Sequence, residues 1–343
     1  MNKKYHAIIL FICLILLVSA CKKSGAATGG APKTPFIGGT SGITINFEKD
    51  SPPLEVTDDE SFAFNVIVRL KNDGESKVSK NDMRLKMVGF DPADFGSDFE
   101  AVREHQPDDD LEAKKRDAEG NILEGTTTFT TFPKGGASFI PRKFPGNTEF
   151  TFRADVCYKY RTESTTKLCI LKDLINVRDD SICSPSGVGT SGRTVYSSSA
   201  PIQIQNFRQS VVGKDKISFS FDIALSGNVD IFNSIDRKTP ASGFDAACPR
   251  DARQRREVEN NVWVEITEIP SDPIFTNIKC GGLQGSGTSG IVRPVSGKRT
   301  ITCTADIVPD RLDLEKVVGV NLEYNVLDNK ETKVLIKHLA ESP

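Results

Sequence analysis

An excess of charge of either sign is missing from this chain. Forty-four Lys and Arg face 46 Asp and Glu, a formal net charge of −2. Nucleic-acid binding needs a basic footprint, so this balance removes the electrostatic case for it. Histidine is scarce, 3 in 343 residues, which starves the usual acid–base and metal chemistries. No Asn-x-Ser/Thr acceptor occurs, so N-glycosylation is not expected. No G-x-S-x-G elbow and no Cys–His signature is present, so no nucleophile is paired with a base by motif. Zinc-type C-x2-C spacing and an EF-hand loop are also lacking. No second apolar run follows residue 17, and the polar stretch 337–343 is unsuited to a second anchor. No catalytic constellation, cofactor or metal is expected from these absences.

The N-terminus carries the clearest positive signal. Lys3 and Lys4 form a basic start, and an apolar run follows from Ala7 to Leu17. That run is short for a spanning helix and has the length of an exported signal. It ends in Leu17-Val18-Ser19-Ala20-Cys21, small residues before a Cys, which resembles a lipobox. On this reading residues 1–20 are a lipoprotein signal peptide, and Cys21 is lipidated and becomes the mature N-terminus. An ordinary secretory signal cut nearby is the alternative. Residues 21–42, rich in Gly, Ser, Ala, Thr and Pro, read as a tether that lifts a folded body off a membrane.

From residue 43 the period is two. Phe62, Phe64, Val66, Val68 and Leu70 alternate with Ala63, Asn65, Ile67, Arg69 and Lys71 before the turn residues Asn72-Asp73-Gly74. Phe150, Phe152, Ala154, Val156, Tyr158 and Tyr160 line one face of a long strand. A turn near Thr162 to Ser164 is predicted, with Leu168 and Ile170 on the returning strand. Ile217, Phe219, Phe221, Ile223 and Leu225 open a second run, and Val318, Val320, Leu322, Tyr324 and Val326 another. Asp328-Asn329-Lys330 reads as a further turn. Strands recurring between turn signals predict an all-β chain of two tandem immunoglobulin-like sandwiches. The boundaries are 43–184 for the first domain, 185–199 for a Gly/Ser linker and 200–343 for the second.

Residues 62–78 (FAFNVIVRLKNDGESKV) resemble the V-x-V-x-L-x-N-x-G stretch of CARDB-type and other immunoglobulin-like adhesion modules. Together with the lipobox, the tether, Gly89-Phe90-Asp91-Pro92 and the stretch Cys157 to Cys169, the chain resembles uncharacterised lipid-anchored surface proteins of archaea. The second block departs from the pattern, with Ser226-Gly227-Asn228 in place of the N-x-G turn. The resemblance implies a cell-surface location and no established chemistry.

Six cysteines remain once Cys13 and Cys21 are set aside: Cys157, Cys169, Cys183, Cys248, Cys280 and Cys303. An even count in an exported chain predicts disulfides. Cys157 and Cys169 sit symmetrically about the expected turn, which suggests a bridge across a hairpin. Cys280 and Cys303 share inward faces and suggest a core bridge, leaving Cys183 and Cys248 to staple the domains. The rival pairing is Cys169 with Cys183.

Other residues are weaker candidates. Asp108-Asp109-Asp110 has the oxygens for a cation, but Lys114, Lys115 and Arg116 follow, so residues 103–124 read as a solvated insertion loop. His105 lies in that loop, and His338 is assigned to the inward face of the last strand. Trp263, Tyr158 and Tyr160 are able to stack on sugars, with core packing the preferred reading for Trp263. Residues 281–287, rich in Gly, lack a following helix and read as a flexible loop. The sequence therefore predicts a non-enzymatic, membrane-anchored envelope protein that binds an unidentified envelope protein or glycan in adhesion or assembly. The alternative is an extracytoplasmic carbohydrate-binding or glycoside-hydrolysing lipoprotein.

Overall fold

A computed structural model describes residues 34–186, 192–234, 236–285 and 287–339. Cys21, the signal segment and part of the expected linker lie outside the described residues. In chain order the strands are β1 (Ile43–Phe47), β2 (Glu55–Thr57), β3 (Val66–Asn72), β4 (Met83–Val88), β5 (Lys115–Arg116), β6 (Ile122–Leu123), β7 (Thr127–Phe132), β8 (Thr148–Ile170) and β9 (Tyr196–Ser197). They continue with β10 (Ile202–Gly213), β11 (Lys216–Leu225), β12 (Asp230–Phe232), β13 (Val262–Thr267), β14 (Phe275–Gly281), β15 (Ser289–Val292), β16 (Lys298–Ile307) and β17 (Leu314–Lys337). Two short helices, Phe244–Ala247 and Ala252–Val258, sit between β12 and β13. The fold is all-β, as the alternation requires.

The spine is a ribbon of two long strands. β8 has 23 residues and β17 has 24, and they pair antiparallel from Ile170↔Leu314 to Thr148↔Ile336. At about 3.3 Å per residue the ribbon is roughly 75 Å long. β4 flanks one end of β8, pairing Met83 with Tyr158 and Val88 with Arg153. β2 runs beside the same end of β17, at Leu335 to Lys337. The other end of β17 is flanked by β13, which pairs Thr267 with Gly319 and Trp263 with Glu323. One sheet therefore takes strands from both halves of the chain. A three-stranded sheet, β1-β3-β7, and a four-stranded sheet, β10-β11-β16-β14, complete the described core.

Two expected turns are strand interior. Thr162 to Ser164 and Asp328 to Lys330 both lie within the ribbon. Apolar alternation lapses at the first because Thr162, Ser164 and Thr166 replace aliphatics on the inward face. Their hydroxyls are satisfied there: Thr162 donates to the Ile202 carbonyl at 2.8 Å, Ser164 meets Ser197 at 2.6 Å, and Thr166 donates to the Thr194 carbonyl at 2.7 Å. A buried hydroxyl with a partner fits a strand as well as a methyl does. At the second, Asp328 and Lys330 stand opposite Val156 and Ala154, so the ladder holds them extended.

Two segments read as spacers are also built into the body. Glu75 accepts the backbone N–H groups of Ile37 and Gly38, both at 2.8 Å, and that of Ser199 at 2.7 Å. The described end of the tether is thus docked, and β9 of the linker pairs with β8. Gly74 permits this crossing, because a Cβ there would fall 2.0 Å from the Tyr160 hydroxyl and 2.5 Å from the Ser41 carbonyl.

Most buried apolar residues of the three larger sheets form one continuous cluster. At the β2 end, Phe64, Phe90, Phe95, Phe139 and Phe152 make mostly edge-to-face contacts, with Phe64 and Phe152 at 5.9 Å. At the other end Phe207 stacks on Phe219 at 5.6 Å. Phe64, Phe152 and Phe219 come from alternating faces seen in the sequence, whereas Phe90, Phe95 and Phe139 come from the connections between strands.

Candidate functional site

The described cysteines form three bridges: Cys157–Cys248, Cys169–Cys183 and Cys280–Cys303. The Cys157–Cys169 pairing expected across a hairpin is not the one observed. Those residues lie 12 positions apart on one unbroken strand, about 40 Å at strand rise. Cys169 instead closes a 14-residue separation to Cys183. Cys280 and Cys303 are register partners on β14 and β16. The link between the chain's halves exists, but Cys248 reaches Cys157 rather than Cys183.

Around Cys157–Cys248 a second, small core contains Phe232, Phe244, Ala247 and Leu327. It seats the segment between β12 and β13 on the outer face of β4, β8 and β17. Lys86 Nζ lies 4.3 Å from the Phe244 ring centre and 2.7 Å from Asp245. Arg250 pairs with the buried Asp155 at 2.5 Å, and Arg153 does so at 3.0 Å. The Phe244 N–H donates to Glu104 at 3.3 Å. A patch of charge at a disulfide thus locks sequence-distant loops together.

The segment after β4 is not a free solvated loop. Its backbone pairs along the β4 edge: the Met87 N–H donates to the Val102 carbonyl, and Leu85 exchanges bonds with His105. His105 is buried, stacks on Phe132 with ring centres 4.1 Å apart, and its Nε2 lies 2.8 Å from the Ala101 carbonyl. Burial pushes its pKa below the ordinary value and the nearby Lys134 adds to this, so the imidazole is neutral at pH 7. Asp110 is occupied too, accepting from the Lys80 N–H at 2.9 Å and pairing with Lys77 at 3.3 Å. Among the described residues no group of three or more His, Cys, Asp or Glu is arranged to hold a metal.

Beside His105 an open polar cleft of about 460 Å³ is lined by Arg84, Glu104, Gln106, Asp108, Thr130 and Lys134, among others. The buried Thr130 hydroxyl has no hydrogen-bond partner among the described residues. His338 shares the side of the buried Val334 and Ile336 but lies just past the strand rather than in it. It follows β17, partly exposed, with Nδ1 2.8 Å from the buried Asp58 carboxylate. Asp58 also accepts the Phe144 and Leu339 N–H groups at 2.9 Å, and these bonds hold its pKa far below the usual carboxylate range. Sequence reading missed Asp58 and Glu75, because no local pattern marks an acid that caps distant backbone.

The aromatic candidates part company. Tyr158 and Tyr160 are fully buried, and burial raises their phenols well above the ordinary value. Trp263 lies on the outward face of β13, between the inward Val262 and Val264, rather than in the core. The Arg237 guanidinium covers it at 4.8 Å and pairs with Glu323. Within residues 281–287, Gln284 exchanges backbone bonds with Ile291, so part of that loop is hairpin.

No family model matches the chain, and no curated protein matches it. Two solved structures are similar at a low level. One is the crystal structure of red sea bream transglutaminase, 10% identical with a TM-score of 0.16, covering 87% of this chain and 31% of that one. The other is the secreted serine protease VesC from Vibrio cholerae, 7% identical with a TM-score of 0.17, covering 87% of this chain and 52% of that one. The chain thus spans about a third and about half of those proteins, and scores this low define no shared fold.

Proposed function

We propose that this protein is a non-enzymatic lipoprotein of the cell envelope, held outside the cytoplasm by a lipid on Cys21. In this reading it is an elongated two-lobed body that binds or assembles envelope components. The lobes are immunoglobulin-like in strand pattern and exchange strands through the β8–β17 ribbon. The observation that carries the reading is the pairing of all six cysteines after Cys21 into bridges. Disulfides persist in oxidising, extracytoplasmic compartments, which is where a lipobox delivers a chain. Among the described residues no helix is long and apolar enough to cross a membrane; in this reading the lipid on Cys21 does the anchoring. Mass spectrometry of the N-terminal peptide, with detergent partitioning of wild type and Cys21→Ser, tests it. A diacyl or diether group on Cys21 and loss of partitioning in the variant are expected; an unmodified Cys21 in membrane-bound protein overturns the anchor.

The polar cleft beside His105 favours a second reading, a carbohydrate-binding lipoprotein. Glu104, Asp108 and the unpartnered Thr130 hydroxyl are groups suited to sugar hydroxyls. Calorimetric titration with envelope polysaccharide fragments separates the two: binding abolished by Glu104→Gln and Thr130→Val supports the second, and no heat removes it.

A further inference from the structure

One end of the molecule carries exposed aliphatic side chains on hydrogen-bonded loops. Three segments converge there: the loop after β8, the β10–β11 turn and the stretch before β17. They are gathered by Arg311, whose side chain is fully buried. Its guanidinium donates to the carbonyls of Leu171 at 2.7 Å, Val308 at 2.8 Å and Lys214 at 2.8 Å, and pairs with Asp215 at 2.6 Å. The Lys172 N–H is held by Asp313 at 2.6 Å. Asp173 accepts the Ile175 and Asn176 N–H groups, and Cys169–Cys183 closes the loop. These are fixed segments, yet each presents an aliphatic side chain to solvent. Leu312 is 80% exposed, Ile175 and Ile182 are each 62% exposed, and Val212 is 56% exposed. Beside them lies an open groove of about 420 Å³ lined by Leu174, Val177 and Val211, among others. Exposed aliphatics gathered on ordered loops mark a contact surface rather than chance.

The covering partner follows from position and charge. Gly38 lies beside Ser197, and Ser197 is the register partner of Ser164. Ser164 is six residues from the Ile170 end of β8 and 16 from the Thr148 end. At strand rise those are about 20 Å and about 50 Å. Thirteen residues separate Thr34 from Cys21, a span of at most about 45 Å. The chain therefore leaves the body near the apolar end, with reach enough for that end to touch the membrane. Across the three segments Lys172, Arg178, Lys214 and Arg311 face Asp173, Asp179, Asp180, Asp215, Asp310 and Asp313, an acidic excess of two, so attraction to anionic lipid is not what the surface offers.

We propose that this end rests in the interfacial layer of the bilayer that carries the Cys21 lipid, with Ile175, Ile182, Val212 and Leu312 inserted. The proposal rests on the lipid-anchor reading and adds an orientation: the ribbon stands up from the membrane and the β2 end projects outward. A few inserted aliphatic side chains would add buried apolar area to that of the lipid anchor and fix the body's orientation.

The test uses the mature, lipidated full chain in phosphatidylcholine vesicles with acyl-chain bromination. In a Trp263→Phe background, Leu312→Trp and Val212→Trp each report the apolar end, and Leu54→Trp reports the opposite end. Emission of either apolar-end reporter should fall about twofold against unbrominated vesicles, with or without anionic lipid, while Leu54→Trp stays constant. Protein that floats with vesicles but shows no quenching at either Leu312→Trp or Val212→Trp overturns the orientation and leaves the anchor standing. Protein that does not float, with an unlipidated N-terminal peptide, overturns both. Shielding of the reporters that depends on protein concentration and not on lipid assigns the surface to a second copy and also overturns the proposal.

Discussion

Removing the Cys157–Cys248 bridge should be the most damaging of the three disulfide deletions. The two cysteines are 91 residues apart, against 23 for Cys280–Cys303 and 14 for Cys169–Cys183. By loop-closure entropy of the unfolded chain, the bridges contribute roughly 4.6, about 3.4 and about 3.0 kcal/mol at 25 °C. Cys157 and Cys248 are also fully buried against Phe232, Phe244 and Leu327, so two Ala replacements remove packing as well. Against a typical total of about 5–15 kcal/mol, the double Cys157→Ala/Cys248→Ala variant stands near the edge of folding. Urea unfolding of the three double-Ala variants measures this order. Trp263 is the chain's only Trp and sits in the second half, whereas far-UV circular dichroism reads both halves. With one sheet shared by the halves, the two probes should give coincident transitions in every variant. The reasoning is refuted if the Cys157/Cys248 variant is the least affected, or if its Trp263 transition separates from the dichroism.

Three further outcomes follow from the same structure. A chain of residues 200–343 should not fold alone: without β8, β17 is left with a long unpaired edge. A dispersed NMR spectrum of that fragment would contradict the shared sheet. Arg311→Met should cost about 3–5 kcal/mol in urea unfolding, since it strands Asp215 and three backbone carbonyls; a loss under about 1 kcal/mol would place the hub elsewhere. Asp328→Asn should stabilise the protein at neutral pH. Burial raises the Asp328 carboxyl above its ordinary 3.8, helped by Asp230, so the folded state keeps its proton longer than the unfolded chain. Its penalty is therefore absent below about 4, grows as pH climbs toward the raised folded value, and is constant above it. Thermal melts of the pair across pH check this; a difference independent of pH contradicts it.

Local chemistry alone determined the all-β class. Period-two alternation at residues 62–71, 150–160, 217–225 and 318–326 identifies strands because a pleated strand puts neighbours on opposite faces. The six cysteines likewise announced disulfides by count and compartment. Connectivity belongs to the tertiary structure. Alternation names a strand's faces but not its neighbour, so nothing local distinguished a hairpin at Thr162 to Ser164 from a strand running on to Ile170. Its inward hydroxyls find partners in residues 194–202, which cross above them, and in Tyr324 of β17. The same indifference hid the β8–β17 pairing, in which Asp328 to Lys330 is extended by its ladder against a residue preference for turns. Once β8 is continuous, Cys157 and Cys169 are too far apart to bond, and their true partners come from loops that only folding brings near. Trp263 obeyed the alternation that sequence displayed, facing outward between Val262 and Val264. The docked tether, the buried Asp58 and the Arg311 hub left no trace in sequence, because each side chain binds backbone far away along the chain, and such groups become neighbours only in the folded state.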